Sequence, residues 1–166
     1  MKKFGLLLVS MLVMSVFTAN ADDVEDAYRY ELEAVDGVAS DGRVLVKVWS
    51  YGKKEKLTRQ KCMANAVHGI IFKGAPAGTA SSLIKGSKAI CPEGFVAHKD
   101  YFENFFENGE YLQFVELTNN GNIQAGDRIK ISSKEYKVGM VCIVNYNALR
   151  QKLEGDGIAK GLNFLF

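Results

Sequence analysis

The chain has 166 residues, 21 basic and 19 acidic side chains, three cysteines and two histidines. Its length suits one domain with its own core, and its charge balance excludes the strong basic excess that marks a nucleic-acid surface. Two imidazoles leave little material for a His-rich metal site.

In chain order, Lys2 and Lys3 precede an apolar run over residues 4–17, interrupted only by Gly5, Ser10 and Ser15. Ala19-Asn20-Ala21 then forms an A-x-A site before Asp22. A charged start, a short apolar centre and a small-residue exit predict a bacterial signal peptide cut after Ala21. The run is shorter than the ~20 apolar residues that a spanning helix needs, so no integral membrane span is expected in the mature chain. Residues 22–166 are then a single domain, placed in the periplasm or outside the cell. Lys2 and Lys3 leave with the leader, so 19 basic and 19 acidic side chains remain and the mature chain is formally neutral.

Residues 22–26 are acidic and read as a frayed end. Over residues 28–34, Tyr28, Tyr30, Leu32 and Ala34 alternate with Arg29, Glu31 and Glu33, the pattern of a half-buried strand. Asp36-Gly37 and Asp41-Gly42 punctuate a turn, and a second strand follows over residues 43–49, with Val44, Val46 and Val48 on one face and Leu45, Lys47 and Trp49 on the other. Lys53-Lys54-Glu55-Lys56 is a short, mixed and solvated turn.

Residues 58–74 predict a helix whose stripe is Met63, Ala66, Val67 and Ile70, flanked by Cys62 and Ile71. Lys61, Asn65 and His68 are expected on its polar side. Ala66 and Gly69 would let it lie close to a sheet, and Gly74 is its expected stop. Residues 74–79 invite comparison with a phosphate-cradling loop. Their glycines are too close, no Lys follows the second, and a helix precedes them, so the stretch reads as a surface loop.

Pro92 is expected in the first turn of a second helix, with Phe95, Phe102 and Phe106 on its apolar stripe and His98 beside it. Residues 111–118 and 128–131 read as strands. Residues 136–145 read as the longest strand and, being apolar on both faces, as the middle of the sheet. Asn147 is expected to cap a last helix that Gly155 stops, leaving the tail 161–166 docked on the domain.

The resulting order is strand-strand-helix-helix-strand-strand-strand-helix. It predicts an α+β fold: a largely antiparallel five-stranded sheet with helices packed on one face. Catalytic material is thin. Cys91 and His98 are seven apart and could share a helix side as a thiol–imidazole pair, but no third orienting group stands at a recognisable spacing. Neither His belongs to a zinc-clasping pattern, and no Gly-x-Ser-x-Gly elbow is present. The pairing of Cys62, Cys91 and Cys142 stays open: one disulfide with a buried thiol, or three reduced thiols.

Residues 65–74 (Asn-Ala-Val-His-Gly-Ile-Ile-Phe-Lys-Gly), Asp127-Arg128 ahead of residues 136–139 (Tyr-Lys-Val-Gly), and the ending 149–166 resemble a family of small exported proteins of Gram-negative gut bacteria. The resemblance spans most of the mature chain and implies export, with no activity, substrate or binding residue attached. The element order is also faintly similar to the N-terminal domains of flagellar-assembly and surface-lipoprotein accessory proteins, a likeness of topology that transfers no residue. The expected function is a non-catalytic binding or assembly module of the bacterial envelope, without cofactor or metal. It would meet another envelope protein through its loops or an exposed sheet edge. The alternative is a thiol/His-dependent periplasmic enzyme using Cys91 and His98.

Overall fold

A computed structural model describes residues 28–35, 42–53, 57–78 and 86–161. The expected signal peptide and its cleavage site, the acidic stretch 22–26, the Asp36-Gly37 turn, part of the Lys-rich turn and the tail from residue 162 lie outside the described residues.

The described chain is an α+β fold: a five-stranded antiparallel sheet with three α-helices and short 3₁₀ turns between them. The strands are β1 (Tyr30–Ala34), β2 (Arg43–Gly52), β3 (Val115–Leu117), β4 (Arg128–Lys130) and β5 (Tyr136–Asn145). The helices are α1 (Arg59–Phe72), α2 (Lys99–Glu107) and α3 (Tyr146–Gly155). β5 is central, as its two apolar faces predict. β2 pairs along its whole length from Arg43↔Asn145 to Gly52↔Tyr136, and β1 lies on the far side of β2. β3 and β4 share the other side of β5, one against Cys142–Val144 and the other against Tyr136–Val138.

Alternation along β2 and β5 decides what the sheet buries. Val46 and Val48 stand opposite Cys142 and Met140, and all four are buried against the helices. Each Val contributes about 1.5–3 kcal/mol by leaving water. Thr58 caps α1 by accepting the Lys61 N–H, and Gly74 ends it in the left-handed region at φ +80°, where its N–H returns to the Gly69 carbonyl.

Four details depart from the sequence reading. α1 has no polar side at Asn65 and His68, because both are buried with Cys62, Ala66, Val67, Ile70 and Ile71. The second helix does not run on from Pro92. Gly94 at φ +89° breaks the backbone, Phe95–His98 form a 3₁₀ turn, and α2 begins at Lys99. The third strand is shorter than residues 111–118: Glu110–Phe114 coil as a 3₁₀ turn that sends Tyr111 and Phe114, three apart, into the core. The cap of α3 is Asn145, whose Oδ1 accepts the Ala148 N–H, so the last strand passes directly into the helix without Asn147 as its cap.

Candidate functional site

Cys91 lies between the 86–90 stretch and the turn into α2. Its N–H donates to the Ile71 carbonyl at 2.9 Å, which ties it to the end of α1, and its side chain has no exposure. Burial, reinforced by Glu93 and only partly offset by Arg150, pushes the thiol up to about 12, so the thiolate is scarce at neutral pH. His98 closes the 3₁₀ turn, half-buried, with Nε2 3.7 Å from Glu93 Oε1 and its ring at the edge of Phe102. It lines a surface hollow of about 410 Å³ with Val96, Ala97, Lys99, Asp100 and Tyr101; Cys91 does not belong to that lining. Among the described residues no hydrogen bond joins the thiol to the ring. The other two thiols, Cys62 and Cys142, are also free and buried, and burial raises both.

The more organised imidazole is His68. α1 carries it against the start of β1, where the Tyr28 ring stacks on it at 3.9 Å and the Tyr30 hydroxyl lies 2.8 Å from Nδ1. Phe72, Phe95 and Phe106 close the pocket at centroid distances of 4.6–5.9 Å. Burial, with the nearby Lys73 ammonium, pulls the ring down to about 3, so it is neutral at pH 7. With its proton on Nε2, the ring accepts the Tyr30 O–H at Nδ1. Asn65 is satisfied in the same way, donating from Nδ2 to Ser50 Oγ at 2.8 Å. These polar groups knit α1 to the sheet. Their place on the helix, opposite the Met63, Ala66, Val67 and Ile70 stripe, marked them as surface residues; the nearly unbroken small and apolar run around them (residues 62–72) was the available sign that α1 is buried on most sides.

Among the described residues no helix covers the opposite face of the sheet, which carries a lattice of charge and aromatic side chains. Trp49 lies across Gly139, where a Cβ would come within 2.9 Å of the indole, and its Nε1–H donates to Glu33 at 2.6 Å. Lys47 and Lys137 sit over the indole at 4.5 and 5.1 Å. Lys137 also meets Glu31 at 2.6 Å, and the Tyr51 hydroxyl donates to that same carboxylate, which these two partners hold below the usual range. Lys47 reaches Asp127 at 2.6 Å. The indole is thus committed to its neighbours and does not offer an open stacking surface.

Among the described residues no group of three or more His, Cys, Asp or Glu side chains converges as a metal-ligand set, and no helix is long and apolar enough to cross a membrane. Comparison with family models, curated proteins and solved structures gives no match.

Proposed function

We propose that the chain works as an exported, non-catalytic binding or assembly module of the bacterial envelope, released behind Ala21 and meeting another envelope protein. The observation that carries this reading is the state of Cys91. A nucleophilic cysteine needs a low-pKa, accessible thiol beside a base, and this thiol is buried, raised and outside the hollow that His98 lines. His68 supports the same reading, since its hydrogen bond and aromatic stack use it as a packing group. Among the described residues, one sheet face and the strand margins are left open to solvent.

A thiol titration with a chromogenic disulfide on the native chain, repeated in denaturant, tests the proposal. Cys62, Cys91 and Cys142 are expected to react slowly when folded and rapidly when unfolded. One fast thiol in the native chain, mapped to Cys91 and suppressed by His98→Ala, would overturn it in favour of a thiol/His-dependent enzyme. Crosslinking in intact envelopes then identifies the partner.

A further inference from the structure

We infer that the open margin of β4 takes up, as an added strand, an extended segment of a partner protein in which acidic and apolar residues alternate. The inference rests on the binding-module reading above and names the surface and the chemistry it would use.

The backbone register sets out the offer. Gly139 N–H donates to the Asp127 carbonyl at 2.8 Å and Ile131 N–H to the Glu135 carbonyl at 2.9 Å. With Ile129 opposite Lys137, residues 127, 129 and 131 therefore turn their backbone groups toward β5. The alternate residues, Arg128 and Lys130, turn N–H and C=O outward, and among the described residues nothing pairs with them. All three residues of β4 are exposed.

Side chains then select the occupant. Arg128 and Lys130 share the face of Tyr136, and the Arg128 guanidinium lies 5.3 Å from that ring. Ile129 points to the other face and is 43% exposed; Ile131, next in the alternation, is 48% exposed. Neither cation forms an ion pair with a described residue, although the other cations of the strands (Arg43, Lys47 and Lys137) all do. A strand laid beside β4 would meet positive charge on one face and branched aliphatic surface on the other. Period-two alternation of acidic and apolar residues matches both at once. Cations on a margin also repel a second copy of the same margin, so the charge that deters self-pairing selects an acidic partner. The opposite margin, β1, is unlike it: Glu31 and Glu33 are engaged with Lys137, Tyr51 and Trp49.

The test uses the full chain, isotope-labelled, titrated with the capped peptide Val-Glu-Val-Glu-Val. The expected result is salt-sensitive binding that slows amide exchange at Arg128 and Lys130. Lys130→Pro removes one outward donor and one of the two cations, but no bond to β5, and should weaken binding about tenfold or more. Should the proline disturb β4 itself, the double variant Arg128→Glu/Lys130→Glu supplies the second reading, expected to switch preference to Val-Lys-Val-Lys-Val. Absence of binding, binding without protection at those two amides, or self-association of the chain through this margin overturns the inference. The thiol titration and envelope crosslinking report on the wider proposal separately.

Discussion

The sheet's two faces are built from alternate residues of the same two strands, β2 and β5, yet different forces hold them. On the covered face Val46, Val48, Cys142 and Val144 are fully removed from water, and the polar groups buried there are satisfied, Ser50 by Asn65 and His68 by Tyr30. On the open face Lys47, Trp49, Tyr51 and Lys137 stay half-exposed and are organised by ion pairs and cation–π contacts across strands. Burial gives the first face its stability. The second contributes less, because water screens each pair, but it fixes register: Trp49 fits only where Gly139 leaves room for it. A surface organised in this way can keep a definite shape without a cover.

Substitutions should separate the two faces by size of effect. The largest belongs to the covered side. Phe102 has no exposure and lies 4.8 Å from Phe72 and 5.8 Å from Phe95, so Phe102→Ala should destabilise by about 3–5 kcal/mol in urea unfolding. A loss below about 1 kcal/mol would mean that this layer is loosely packed.

His68 gives the next effect and ties it to pH. Its folded pKa, about 3, lies below the ordinary value of 6.5, so the unfolded chain takes up the proton first. Its contribution is therefore whole above pH 6.5 and is lost as pH falls toward 3, at up to about 1.4 kcal/mol per pH unit. Unfolding free energies at pH 7, 5 and 4 should show this slope beyond that of His68→Gln, which keeps an acceptor for Tyr30. Identical slopes would mean that the ring is not held neutral.

The smallest effect is on the open face. Lys137→Met removes the ion pair with Glu31, which is mostly exposed, and should cost no more than about 1 kcal/mol, less in high salt. A loss as large as that of Phe102→Ala would erase the contrast between the faces.

Much of the fold was legible because it follows from periodicity. The residues 136–145, apolar on both sides, gave β5 its bounds and its central place, and the alternation of Val44, Val46 and Val48 picked the covered face. Gly74 marked the end of α1 through its capping chemistry, at φ +80°. The misses have physical causes. Asn65 and His68 were assigned to water because the helical period sets them opposite the apolar stripe, whereas Ser50 and Tyr30, distant in sequence, supply the partners that let them be buried. Residues 110–114 follow a period of three, which a search for alternation reads as a strand. For Cys91 and His98, a spacing of seven suggested one helix side. Gly94, between them, turns the backbone out of the helix before either residue can use that periodicity.

The central position of β5 also bears on the order of folding. β1 and β2 can meet as a local pair, but β2, β3 and β4 acquire their common neighbour only when residues 136–145 are available, near the end of the chain. Contacts between such distant segments close slowly, because chain entropy is lost before the pairing compensates for it. A polypeptide emerging amino-terminus first therefore cannot complete this sheet until residues 136–145 are free to join it.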